Sequence, residues 1–411
     1  MFPQSCLDLL LLLATTTCAA AVRIDRYAVV SRYNPTRDGS VLEPAMPLQI
    51  GNGNFAFGCG LDGLQTFQPW AALSSSSWAW KNDTLPPNRT PADLENYQGT
   101  SWLNHGRPVM YEFGGEPKDV EQWLIMNPNR VNLGRVGFAF FDNAMAKDEL
   151  HMEAVDLQNL AQRLDLWTGI VSTNFSILGE SVSVQTSVHE TDNTISITVA
   201  TPLLLRGRLA IFLDFPWTDG INKFAAPFVG SYDPANWTMH HTSIIESDRT
   251  SGTATIAHSF DSFGNATFYT TVTGNPFTVE HVAGHRYIFR PAITKKSFDI
   301  TVHHSFKPPE ASGTWTTSAA AVHRSSKRGW EEYWMKSGFV DLTQSTDTRA
   351  DELQRRIVLS RYLMKVNGAG DFPAQEVSAT RVRMYLNAED FQSGLVNNGG
   401  LSCGYTHTRC S

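Results

Sequence analysis

LQIGNGNFAFGCGLDGLQTF, residues Leu48 to Phe67, sets five glycines among apolar and aromatic residues, a mixture that a generic loop does not need. Gly51, Gly53, Gly58, Gly60 and Gly63 serve where φ is positive or another backbone comes close, while Phe55, Phe57, Leu61, Leu64 and Phe67 supply apolar weight on both sides. The pattern predicts strands joined by tight turns. A phosphate-cradling glycine loop needs a helix opening directly behind it, and Asp62 to Pro69 carries no helical start.

Working outward, residues 28 to 306 alternate polar and apolar positions and are punctuated by Gly, Pro, Asn and Asp. Ile195, Ile197 and Val199 alternate with Thr194, Ser196 and Thr198, and Val182 and Val184 alternate with Ser181 and Ser183, which predicts one buried face. Leu209 to Leu213 is continuously apolar, as in a strand covered on both faces. The fold class expected is mainly β: a large antiparallel two-sheet sandwich with almost no helix. From about Ser318 the sequence turns helical. A second helix is expected over Arg349 to Val366, opened by a Thr348/Asp351 capping box, carrying Leu359, Tyr362, Leu363 and Val366 on its buried face and ended by Asn367-Gly368.

The 411 residues are 42% hydrophobic and 18% charged, which excludes a disordered or coiled-coil chain. A net charge of −7 with no basic stripe argues against nucleic acid as a partner. The apolar run Leu7 to Leu13, followed by small residues, reads as a secretory signal over residues 1–21, cleaved near Ala20 or Ala21, although MFPQSC lacks the usual basic residue. No run is long enough to span a bilayer, so a secreted, extracellular protein is expected. The sequons at Asn82, Asn88, Asn174, Asn236 and Asn265 fit that compartment as glycosylation sites. Without the signal, Cys59, Cys403 and Cys410 remain, which make neither a disulfide framework nor a zinc site, and Cys59 is expected to pack as a small apolar residue. No metal and no cofactor is expected.

An ordered succession of motifs carries a resemblance. It comprises Gly51-Asn52-Gly53-Asn54-Phe55-Ala56-Phe57, Gly63-Leu64-Gln65-Thr66-Phe67, Ser77-Trp78-Ala79-Trp80 and Asn127-Pro128-Asn129-Arg130 with Leu133-Gly134-Arg135. Then come Leu164-Asp165-Leu166-Trp167-Thr168-Gly169, Trp330 to Trp334, and Arg355 to Leu363 through Pro373-Ala374-Gln375-Glu376. Over residues 25 to 376 the chain resembles six-hairpin glycosidase-like proteins related to glycoside hydrolase family 65. The resemblance implies an N-terminal super-β-sandwich over 22–310, a helical linker over 311–345 and the first helix of an incomplete (α/α)6 barrel over 346–376. It also implies an oligosaccharide or glycan as partner, with hydrolase and phosphorylase both open. In the family a Ser/Thr-Gly-Leu follows the Gln-Glu pair at once; here Val377 to Gln392 intervenes before Ser393-Gly394-Leu395. Residues 377–411 therefore read as an aberrant tail, expected from a retained intron and a shifted frame, and a catalytically silent product.

Inverting hydrolysis needs two carboxylates facing one pocket, and the resemblance places both beyond this sequence, so no catalytic residue is assigned. Glu376, with Gln375, is the motif carboxylate at the expected barrel mouth; bracing a helix loop is the alternative. Trp78 and Trp80, two apart in an extended segment, form either a stacking platform for a sugar ring or part of a domain interface. Asn52 and Asn54 serve either sugar hydroxyls or a turn. The pairs His240-His241 and His303-His304 put adjacent rings on opposite faces of strands, and no G-x-S-x-G elbow is present. The class that competes with an enzyme is a carbohydrate-binding or purely structural sandwich.

Overall fold

The computed structural model describes residues 24–40, 42, 46–68, 74–81, 85–111, 114–127, 129–217, 232–260, 266–292, 295–309 and 317–371. The chain is mainly β, and every described strand pair is antiparallel. Nine described strands form one sheet in the order Thr36–Arg37, Gln158–Asp165, Ile170–Ile177, Glu180–Val188, Thr194–Ala200, Ser297–Ser305, Ala266–Gly274, Thr253–Phe260 and His240–Asp248. Four more, in the order Phe277–Ala283, Arg286–Pro291, Leu209–Asp214 and Arg135–Phe140, make a second sheet. Side chains from both sheets fill one core, from Val171, Val184 and Ile197 to Phe138, Ile211 and Phe289.

The strand Leu209–Asp214 is buried at every residue, as its unbroken apolar run predicts. Leu209, Ile211 and Leu213 join the main core, while Ala210 and Phe212 enter a smaller one with Ala139, Phe141 and Ile288. The alternation over Thr194–Ala200 misleads. Thr194 and Ser196 are as fully buried as Ile195 and Ile197, because the helix Ala319–Lys336 covers the polar face of that strand. His323 of the helix sits on it, with Nδ1 2.8 Å from Ser187 Oγ, which lies 2.8 Å from Ser196 Oγ. Short hydroxyl side chains leave room for a helix and still have a partner when buried.

Three further points differ from expectation. Residues 85–111 and 114–127 form a satellite with helices Pro91–Glu95 and Lys118–Met126 around Leu94, Tyr97, Val120, Trp123 and Leu124, in a stretch expected to be almost free of helix. The last described helix runs Ala350–Gly368 and has no Thr348/Asp351 capping box; Arg349 is its N-cap, and its backbone N–H donates to Asp347 Oδ1. Its buried face is Gln354, Val358, Tyr362 and Val366, while Leu363 is exposed and Leu359 only partly covered. The helix docks against a strand hairpin, which takes a narrower stripe than a helix bundle would. The helix at Ala319 opens as expected, with Ser318 Oγ accepting from Ala321 N.

Candidate functional site

Two places gather polar groups from distant parts of the sequence. The first is the junction where the two long helices meet the hairpin Leu48–Cys59. Gly51 and Gly53 belong to its turn: Gly53 has φ +101, and an added Cβ would lie 2.6 Å from the Ala369 backbone. Gly370 passes as closely over Gly53 in return. Tyr362 Oη donates to Gln49 O at 3.1 Å, and Gly53 N donates to Val366 O at 3.1 Å. Behind this, Trp330 stacks on Tyr362 with ring centres 4.3 Å apart and Trp334 Nε1 donates to Leu166 O at 2.7 Å. Gly169, at φ +68, makes room for Trp330; a Cβ there would sit 2.1 Å from Nε1.

Asn52 is spent on its own turn. Its Oδ1 accepts from the backbone N–H groups of Asn54 and Phe55, and its Nδ2 donates to His189 O and Asp192 O. Asn54 is a node. Its Oδ1 accepts from Ser77 Oγ at 3.0 Å and Asp371 N at 2.7 Å, and its Nδ2 donates to Asp371 Oδ2 at 2.9 Å. It thus ties the turn carrying Trp78 to the chain leaving the last helix toward Gln375 and Glu376, which themselves lie outside the described residues. Trp78 and Trp80 do not share one extended strand. Ser77 and Trp78 form a turn, and only Trp80 starts a strand, Trp80–Lys81, paired with Asn129–Arg130. Trp78 is half-buried against Phe268 and Phe306, and its indole N–H is buried without a partner; the Trp80 ring lies outside the description.

Of the sequon residues, Asn88 is exposed in a turn at φ +63 and Asn174 is exposed on a strand. Asn82, Asn265 and the Asn236 side chain lie outside the described residues. Cys59 is fully buried in the hairpin core, and burial pushes its thiol pKa up.

The second place is a half-open cleft of about 230 Å³ at one end of the four-stranded sheet, lined by Arg135, Asp214, Tyr232, Trp237, His285 and Arg286 among others. Strand register builds it, since Arg135 and Arg286 are the two cross-strand partners of Asp214. Arg135 Nη2 donates to Asp214 Oδ2 at 2.5 Å, and Arg286 Nη1 donates to both Asp214 oxygens at 2.9 Å. Glu149 takes the other edge of Arg286 at 2.8 and 2.6 Å. Burial works against the Arg286 charge, but Glu149 and Asp214 outweigh it and raise its pKa. Both guanidinium groups lie over the Phe212 ring, and burial raises the Tyr232 phenol. Neither the cleft nor its histidines stood out in the sequence beyond the His240-His241 pair, because the partners lie far apart in the chain.

His240 and His304 are buried, while His241 is exposed and His303 is partly covered and hydrogen-bonded to Thr194 Oγ1. Among the described residues no group of three or more His, Cys, Asp or Glu is arranged to hold a metal ion. The Ser187–His323 contact has the atoms of a nucleophile and a base, but Ser187 is completely buried beneath the helix and offers no substrate access.

No protein-family model matches the chain, and no curated protein does. Solved structures are similar in part. One is described as a kojibiose phosphorylase from the human microbiome, at 10% identity and TM-score 0.48, covering 82% of this chain and 42% of that one. Another is a family GH92 inverting mannosidase from Bacteroides thetaiotaomicron, at 11% identity and TM-score 0.35, covering 79% and 36%. A GH92 α-mannosidase of the same organism aligns at 8% identity and TM-score 0.28, covering 82% and 41%. The chain thus spans less than half the length of each.

Proposed function

We propose that this chain is the sandwich portion of a secreted, glycosidase-like protein, and that the junction around Asn54 recognises an oligosaccharide or glycan. One observation carries the reading: four of the motifs on which the family resemblance rests, scattered from Gly51 to Leu363, interlock at a single place. Gly51–Gly53, Leu166–Gly169, Trp330–Trp334 and Tyr362 touch one another there. Asn54 adds the Trp78 turn and the approach to Gln375 and Glu376. The described residues supply recognition and scaffolding. At the cleft, both oxygens of Asp214 are already engaged by arginines.

In this reading Trp78 and Trp80 offer aromatic surface to a sugar ring, Gln375 and Glu376 polar contacts, and the exposed sequons Asn88 and Asn174 carry glycans. The competing reading, a purely structural sandwich, draws on the packing of Trp78 against Phe268 and Phe306. Affinity electrophoresis of the full chain against a panel of neutral α- and β-linked oligosaccharides separates the two. Recognition predicts retardation by at least one member, weakened about tenfold by Trp78→Ala or Trp80→Ala with the thermal midpoint checked in parallel. Retardation by none of them favours scaffolding.

A further inference from the structure

Beside the cleft, three imidazoles from both sheets meet at one end of the sandwich. His240 and His258 come from neighbouring strands of the nine-stranded sheet, and His285 from the turn leading into Arg286–Pro291 of the other. Ring centres lie 4.9 Å apart for His240 and His258 and 3.7 Å for His240 and His285. His240 Nδ1 and His258 Nε2 are 2.7 Å apart, a hydrogen bond that needs one nitrogen to accept. His258 is fully buried among Phe215, Phe260 and Phe268, and its Nδ1 has no partner.

His285 is fixed by its neighbours. Its Nε2 faces Trp237 O at 2.9 Å, and a carbonyl can only accept, so Nε2 carries the proton of the neutral ring. Nδ1 then accepts from Thr242 Oγ1 at 2.9 Å, and Thr242 in turn accepts from Tyr287 Oη at 2.9 Å. A proton added at His285 Nδ1 makes that nitrogen a donor, so Thr242 loses it as an acceptor and turns its own O–H away while accepting from both His285 and Tyr287. One proton added to the His240–His258 pair leaves an imidazolium–imidazole hydrogen bond in place, and a second, on the other ring, sets two N–H groups and two charges against each other.

The charged and titratable groups facing the cluster offer no compensation. His241 and His281 are further imidazoles whose charge disfavours protonation here, and Tyr287 is occupied by Thr242. Arg135 and Arg286 line the adjoining cleft as cations, with Tyr232 between buried groups, and Asp214 is held by both arginines, one of which also holds Glu149. Burial first and neighbouring imidazoles second lower the pKa of His240 to about 3 and hold His258 well below its ordinary value; burial lowers His285 as well.

We propose that this cluster is an acid-sensitive latch: protonation of the imidazoles drives the strand pair His240–Asp248 and Thr253–Phe260 away from the turn carrying His285 and opens the cleft beside it. The latch stands on the geometry of the sandwich end and does not depend on glycan recognition at the junction. The strand pair is suited to local release because His240–Asp248 is the last described strand of its sheet and is exposed over most of its length.

Hydrogen exchange on the full chain, corrected for the intrinsic pH dependence of exchange, tests it. Between about pH 7 and about pH 5, protection in these two strands falls at least tenfold while Thr194–Ala200 keeps its own, and returning to neutral pH restores it. The double variant His240→Gln/His258→Gln loses this pH response, since an amide hydrogen-bonds without titrating. As a measurement needing no variant, imidazole carbon NMR shifts of the wild-type protein show His240 and His258 neutral in the closed state over the range in which protection falls, since the opened strands take up the proton. Unchanged protection down to about pH 4, an equal loss in every strand, or closed-state titration of His240 and His258 between about pH 7 and about pH 5 with protection retained overturns the latch.

Discussion

The helix–sandwich junction and the histidine end of the sandwich are both crowded, but opposite forces hold them. At the junction, glycines let backbones touch, aromatic rings fill the space, and the polar contacts that join helix to sandwich end mostly on backbone carbonyls, as with Tyr362 on Gln49 and Trp334 on Leu166. Such contacts do not titrate. At the other end, ion pairs and neutral imidazoles share a cleft, and each contact depends on which groups hold a proton. The contrast separates a permanent scaffold from an end whose stability follows pH.

The largest effect that sharpens this contrast is expected from Trp330→Ala, which empties the space between Gly169 and Tyr362 and costs about 4 kcal/mol by urea denaturation. A loss below about 1 kcal/mol would show that the junction does not behave as core. Asp214→Asn comes next. It leaves Arg135 and Arg286 facing each other without the shared carboxylate and costs about 3 kcal/mol, with the effect concentrated in the strands flanking the cleft.

The pH response is third. An unfolded histidine takes up its proton near 6.5, whereas folded His240 resists down to about 3, so stability is complete above about pH 7 and falls as pH drops toward 3. At pH 5 this amounts to about 2 kcal/mol from His240 alone. His303, lowered by burial to about 4, and His304, lowered to about 3, add in the same direction. Asp62 works against them: burial raises its pKa to about 6, so it regains stability as pH falls through 6 and returns part of the loss. Equal unfolding midpoints at pH 7 and pH 5 would break the contrast between the two ends. The smallest effect is expected of Tyr362→Phe, which removes one hydrogen bond at the junction and lowers stability by about 1 kcal/mol at every pH.

Much of the fold was legible in particular residues. The glycines from Gly51 to Gly63 announced a turn-rich hairpin, the apolar run at Leu209 announced a strand covered on both faces, and Ser318 announced a helix start. Local pattern misled where a third element intervened. Ser196 and Thr194 read as a solvated face because nothing near them in sequence reveals the helix laid across them. Thr348 and Asp351 had capping-box spacing, but Asp347 reaches the Arg349 amide instead. Leu363 had helical periodicity but faces outward, since a hairpin takes up fewer helix positions than a neighbouring helix would.

The candidate sites divide in the same way. Asn52 and Asn54 were visible as polar residues between glycines, because short amides next to Gly mark turns whatever surrounds them. Their different fates, one closing its own turn and the other linking Ser77 to Asp371, follow in part from contacts more than a hundred residues away in the chain, on His189 and Asp192 for Asn52 and on Asp371 for Asn54. By itself, the sequence determined a mainly β chain, its apolar strand runs and its glycine-rich bend, because propensity and periodicity are local. Only the tertiary structure decided that Arg135, Asp214 and Arg286 share one ladder and that His240, His258 and His285 share one end of the sandwich. Strand order and register, which local sequence does not encode, set those neighbours.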